Sequence, residues 1–429
     1  MKTDELLIYR LNEDDLLVKA QPLLEEGTDP DEGRKILYGI CAKLLATAGE
    51  SGFYGNLWHC CIADLLVNHE NIYSREAEIR GEIEGTVNDA VLHDMEFFFS
   101  MFFCDFEALA ERWQVPELKL VTDFKPSSGE SGVYNGRIRD RICTLAQEMA
   151  GCKDAAHMKD AVTQFYKEYG VGRFGLHKAF RVEHGEDGVQ IVPIKRILHV
   201  YMNDLVGYES AKRKLIENTE AFLKGRPANN VLLFGEAGTG KSSCIKAISN
   251  EYYEQGLRII EIYRHQFKDI HAVISQLKGR NYRFILYMDD LSFEEFETEY
   301  KYLKAVIEGG LEKKPDNILI YATSNRRHLI RENFSDRDGA AISDKHGGDT
   351  TQEKLSLAGR FGLSIYFEEP DFDEYQQIVK ELAKKNGIDM DEEQLRKEAT
   401  RWEMRSGSMS GRTAQQFIDS LLGRDEYAK

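Results

Sequence analysis

The chain has 429 residues, of which 73 are acidic and 56 basic, giving a net charge of -17. Its residues are 42% apolar, enough for the cores of two or three domains rather than one. The acidity weighs against bulk binding to nucleic-acid backbones or anionic membranes, though a local basic patch could still bind nucleic acid. Seven cysteines without framework spacing point to a reducing, cytoplasmic compartment. The opening MKTDELLIYRLNEDD is too charged for a secretory signal. The longest apolar stretch, FFFSMFFC at 97–104, is too short to span a bilayer and reads as a buried helix segment.

Residues 1–197 read as a mainly helical domain. GRKILYGICAKLLATAG and NGRIRDRICTLAQEMAG carry apolar residues three and four apart. KPSSGESG (125–132) has loop chemistry. FRVEH and VQIVPI flank GEDG, a short hairpin expected to end this domain. His59-Cys60-Cys61 reads as a buried helix face. Three adjacent residues wrap one ion poorly, and no second ligand pair follows at a metal-site spacing.

From 198 the pattern changes. VLLFG, LRIIEIY, RFILYMDD and NILIYATSN read as strands. KSSCIKAISNEYYEQ, FKDIHAVISQLK and EYKYLKAVIEGG read as the helices between them. Strands apolar on both faces with helical crossovers mean a parallel α/β sheet. The acidic run 294–299 reads as a solvated helix face. The polar stretch 334–353 reads as a mobile loop, and the tail from 371 as a small helical unit.

The chemistry sits in LLFGEAGTGKSSCIKA. Gly235, Glu236, Ala237, Gly238, Thr239, Gly240, Lys241 and Ser242 fit G-x-x-x-x-G-K-[ST] at every position, with Ser243 following. A strand before and a helix after supply the context this motif needs. The glycines let backbone N–H groups turn toward phosphate oxygens, and the helix N-terminus faces the same anion. Lys241 would neutralise the β- and γ-phosphates, and Ser242 would ligate Mg2+. Further on, a buried strand ends in Asp289-Asp290. Paired carboxylates there are costly unless a cation meets them, and with the phosphate loop present the metal reading outweighs simple helix capping. Asp289 is the expected Mg2+ partner, and Asp290 the group that orients the attacking water. Asn325 ends a third strand, either contacting the water or γ-phosphate or simply meeting solvent. The nearby basic patch 325–331 has three readings: a role near the phosphates, a subunit interface, or nucleic-acid contact.

In this order the segments resemble the AAA+ superfamily of ring-forming ATPases. That resemblance implies a P-loop NTPase α/β core with a parallel sheet (198–370) and a helical lid (371–429), preceded by the helical N-terminal domain. It implies that Val206 and Gly207, in DLVGYE, line an adenine pocket. It implies that Arg360, in LAGRFG, is an arginine finger reaching a neighbouring subunit's site, hence a homo-oligomer. Arg360 could equally make an internal ion pair, and Arg326, Arg327, Arg331 and Arg337 are rivals for the role. Arg412, in SGRTA, matches the second sensor, which reaches the γ-phosphate from the lid. GRFGLHKAFR, DLVGYESAKRKLIENTEAFL, DDLSFE, YATSNRRHL and EKLSLAGRFGL look like a bacterial family of predicted AAA+ ATPases labelled a domain of unknown function.

Two departures matter. Asp290 stands where most members carry glutamate, one methylene longer, so slow hydrolysis is expected. The interval YRHQFKDIHAVISQLKGRNYRF lacks the aromatic-hydrophobic-glycine triplet of threading members, which weighs against a protein unfoldase. The expected function is ATP hydrolysis with Mg2+ that moves a partner, engaged through the N-terminal domain. The alternatives are a nucleotide-gated binding module with little hydrolysis and, with less support, a nucleic-acid loader.

Overall fold

The structure is a computed structural model describing residues 2–24, 28–126, 136–185, 188–194, 197, 199–293, 299–308, 315–325 and 357–423. The chain divides into two compact units, Met1–His177 and Lys178–Lys429.

The first unit is helical among its described residues. Its longest helix, Pro30–Ser51, starts where Asp29 accepts the N–H groups of Asp31 and Glu32. Pro30 at the first position suits a turn whose N–H groups have no helical partner. The helix buries Leu37, Ile40, Cys41, Leu44 and Ala48 along one face and ends at Gly52 with φ 75°. Helix Thr86–Phe102 buries Met95, Phe98 and Phe102, and also Asp94. That carboxylate accepts the N–H groups of Leu7 (2.8 Å), Ile8 (2.7 Å) and Tyr9 (2.9 Å), which fixes the N-terminal strap. The Tyr9 hydroxyl meets that of Tyr166 at 3.0 Å, and Tyr166 donates to the Leu66 carbonyl at 2.6 Å.

His59, Cys60 and Cys61 lie on helix Leu57–Asn68. The His59 ring stacks on Phe102 at 3.8 Å and donates from Nε2 to the Phe102 carbonyl at 3.0 Å. Burial pushes its pKa down to about 4. Among the described residues no group of three or more His, Cys, Asp or Glu is arranged to hold a metal. None of the helices described is long and apolar enough to cross a membrane.

The second unit is built on a seven-stranded sheet in the order β2-β1-β4-β5-β6-β3-β7. The strands are β1 (Ala179–Gly185), β2 (Gly188–Pro193), β3 (Val231–Gly235), β4 (Leu257–Glu261), β5 (Arg283–Met288), β6 (Ile318–Ser324) and β7 (Leu363–Phe367). All neighbours are parallel except β1 and β2. The four strands read from the sequence are β3 to β6, and helices Lys241–Tyr252, Ile270–Leu277 and Tyr300–Glu308 lie between them.

Two features differ from expectation. The hairpin does not close the N-terminal domain: β1 pairs in parallel with β4, so the boundary falls at 177/178 and not at 197/198. A hairpin's two strands satisfy each other, so sequence alone does not show which larger sheet its open edge joins. The sequence pattern does not predict strand β7. It is a five-residue edge strand with exposed Ser364 and Tyr366 alternating with buried Ile365 and Phe367, too short and too broken for an apolar run. Among the described residues helix Glu209–Leu223 precedes β3, and helices Phe372–Lys385, Glu392–Ser406 and Gly411–Leu422 follow β7 and share a core around Tyr375, Val379, Phe417 and Ile418.

Candidate functional site

Ligands of open parallel sheets sit beyond the C-terminal strand ends, where neighbouring connections diverge. Here β6 lies between β3 and β5. The turn after β3, the acids after β5 and the end of β6 therefore meet at one edge of the sheet. They border a cavity of about 680 Å³, in the size range of a small-molecule site. Residues 237–243, Asp289, Asp290, Asn325 and Arg412 all line it. Val206 lines its apolar end with Ile378 and Leu382 from the lid.

Gly235, Gly238 and Gly240 take φ of 138°, 81° and 89°. At Gly240 this left-handed turn leads directly into helix Lys241–Tyr252, whose N-terminus faces the cavity. Gly238 has a second reason. A Cβ there would lie 2.7 Å from Ser410 Oγ and 3.1 Å from Arg412 Cβ. The Arg412 N–H donates to the Gly238 carbonyl at 3.2 Å, so the third lid helix rests on the loop itself. The Lys241 ammonium donates to the carbonyls of Gly235 (2.8 Å) and Glu236 (2.6 Å), spanning the loop. Burial lowers its pKa below the usual lysine value, against the opposing pull of Glu236, Asp290 and Asp289.

The acids are tied to both neighbours. Ser242 Oγ donates to Asp289 Oδ1 at 2.7 Å, and Thr323 Oγ1 donates to the same oxygen at 2.6 Å. Partial desolvation would raise the Asp289 pKa. Hydrogen bonding from Thr323 and Ser242 outweighs it and holds the carboxyl below its ordinary value. Asp290 has φ 50°, and Asn325 Nδ2 donates to its Oδ1 at 2.9 Å.

This donor set fits a magnesium polyphosphate. A hydroxyl and an ionised carboxylate already touch, with an ammonium and a helix N-terminus beside them. Gly207 (φ 80°) lies next to Val206, which packs against the lid core. Arg360 is half-buried just before β7 and does not line the cavity. The rival arginines, Arg326, Arg327, Arg331 and Arg337, lie outside the described residues, as do the loop 334–353 and most of the acidic run 294–299. Sequence reasoning missed Ile378, Leu382 and Thr323. The first two are one helical turn apart on the lid's apolar face, a signal that marks core and cavity alike. Thr323 is the hydroxyl residue two places before Asn325 on an otherwise largely apolar strand.

The family described as "Protein of unknown function (DUF815)" matches residues 175–425, well over half of the chain. The chain belongs to that family. Its second unit carries a phosphate-loop motif between a strand of a mainly parallel sheet and a helix, and a helical unit comes before it in the sequence. It is 42% identical over 66 residues to a Replication factor C large subunit of Staphylothermus marinus, 15% of each chain. It is 35% identical over 78 residues to that of Methanococcus vannielii, 18% of this chain and 15% of the other. The match thus spans under one sixth of the length of these relatives. Among solved structures, the Thermotoga maritima RuvB Holliday junction branch migration motor is 16% identical, covering 53% of this chain and 74% of that one, with a TM-score of 0.33. A point variant of Thermotoga maritima RuvB gives the same identity and coverage and a TM-score of 0.34.

Proposed function

We propose that this chain binds ATP with Mg2+ and hydrolyses it to ADP and phosphate, driving a conformational change in a partner or in its own assembly. The observation that carries this reading is the convergence of the phosphate loop, Asp289, Asp290, Asn325 and Arg412 on one cavity. Lys241 and Arg412 hold the phosphates, and Val206, Ile378 and Leu382 shelter the base, with Gly207 shaping the turn that presents Val206. Ser242 and Asp289 hold the metal, which when bound neutralises phosphate charge. Asp290 orients the attacking water, and Asn325 holds Asp290 or the γ-phosphate. Positioning and electrostatics carry such a reaction, since little covalent chemistry falls to the protein. Because Gly238 carries the lid, a change in the loop on hydrolysis would move the lid.

Arg360, set apart from its own cavity, serves a neighbouring copy in a homo-oligomer. The domains follow as an N-terminal helical unit that engages a protein partner, the ATP-binding core, and the lid from 371. The setting is cytoplasmic. The replication factor C likeness is too short to bring a nucleic-acid role with it.

One observation favours a second reading, a nucleotide-gated module with little turnover. Asp290 is already engaged by Asn325, and its side chain is short. Phosphate release with Mg2+ and ATP, measured across a protein concentration series, separates the two. Turnover per chain that rises with concentration supports a shared ATPase site. Tight ATP binding without phosphate at any concentration sinks hydrolysis by the chain alone and favours the gate.

A further inference from the structure

We infer that Thr323 is a positioning residue of this site, its single buried hydroxyl setting both the acid that holds the metal and the backbone that presents the second acid. This rests on the reading of the cavity as an ATP–Mg2+ site.

Thr323 is 2% exposed, near the end of β6. Met288 pairs with Ala322 across β5 and β6, so the next residues, Asp289 and Thr323, come level. Thr323 Oγ1 lies 2.6 Å from Asp289 Oδ1 and 2.9 Å from the Asp290 backbone nitrogen. A hydroxyl has one proton. The Asp290 amide can only donate, so the hydroxyl accepts there and its proton goes to Asp289. Both directions are therefore fixed by chemistry. The Leu291 N–H adds a bond to the Thr323 carbonyl at 2.7 Å, so one residue holds three consecutive positions after β5.

The second bond has a particular task. Asp290 is in left-handed backbone, uncommon for a residue with a side chain. The Thr323 oxygen accepts the N–H of that turn, while Asn325 holds the side chain beyond it. Asp289 Oδ1 receives Thr323 and Ser242 together, so the carboxylate is oriented from β6 and from the phosphate loop at once. Valine would fill the same buried volume and suit a strand as well. What threonine adds is the hydroxyl, and both of its bonds leave β6 for the acids.

The test compares Thr323→Val and Thr323→Ser with the parent in the full chain. A fluorescent non-hydrolysable ATP analogue is titrated in EDTA, and then at fixed nucleotide with increasing Mg2+. Steady-state kcat and KM follow. Thr323→Val should bind the analogue in EDTA as the parent does, while its Mg2+ half-saturation rises roughly 10–100-fold, the usual loss for an outer partner of a metal ligand. Its kcat should fall further than its KM rises, and Thr323→Ser should restore both readouts. A valine variant with parental Mg2+ dependence overturns the inference. So does a serine variant as defective as the valine one, which would make the role one of packing. If Thr323→Val melts well below the parent, Thr323→Ala is read in its place. A parent that binds no ATP in either condition overturns the ATP reading itself, and this inference falls with it.

Discussion

The two units put their polar side chains to different uses. In Met1–His177 those groups pair with one another: Asp94 with three backbone amides, Tyr9 with Tyr166, Tyr73 with Thr163. In Lys178–Lys429 Asn218 and Thr219 likewise pair with Tyr321, but a second set, buried Thr323 with the more open Ser242, Asp289, Asp290 and Asn325, is linked in a chain along the cavity wall. Unusual backbone divides the same way. Among the described residues three non-glycines take positive φ. Gln114 in the first unit merely ends helix Phe106–Trp113, whereas Tyr208 and Asp290 both line the cavity. Polar groups that satisfy each other stabilise a scaffold. Polar groups and strained turns that face space are held ready for something else.

The sharpest way to break this contrast is Lys241→Ala. It should abolish phosphate release and leave the melting of the first unit unchanged, as read by malachite-green assay and calorimetry; turnover surviving in the variant would sink the site assignment. Arg360→Ala comes next. If Arg360 acts on a neighbour's phosphate, turnover should drop on the order of 10³-fold, while affinity for ATP in EDTA stays parental. An intact rate would return Arg360 to an internal ion pair.

Asp94→Ala tests the other half. Three amides lose their acceptor at about 1 kcal/mol or more each, so the first unit should lose about 3 kcal/mol in urea unfolding while ATP binding persists. The smallest effect belongs to His59. Burial lowers its folded pKa to about 4 from an ordinary 6.5. The unfolded chain therefore takes up the proton first, and the stability this neutral ring contributes is full above 6.5 and lost as pH falls toward 4. His59→Gln should flatten the acid side of the stability curve over that window, and an unchanged slope would mean the ring does not titrate as described.

The core of the second unit is legible because its central strands β3 to β6 are almost wholly buried and its motif is local. Gly235 to Ser242 are consecutive, so spacing alone carries their chemistry. Asp289 and Asn325 could be read because they end apolar runs. Thr323 could not be read, since its meaning comes from strand register, which a single sequence does not reveal. Ile378 and Leu382 face the cavity from the lid, yet their spacing is that of any amphipathic helix. The first unit offered helices and no chemistry, because contacts such as Asp94 with Leu7, Ile8 and Tyr9 join residues more than 80 positions apart.

The hairpin of β1 and β2 has a practical consequence for dissecting the chain. β1 covers the flank of β4 that β5 leaves open. A fragment starting at 198 would uncover a ladder of N–H and C=O groups on β4, a template for pairing with other chains. One starting at 178 keeps that flank sealed. Aggregation of the shorter fragment would then report a missing strand rather than any dependence of the ATP-binding core on the helical unit.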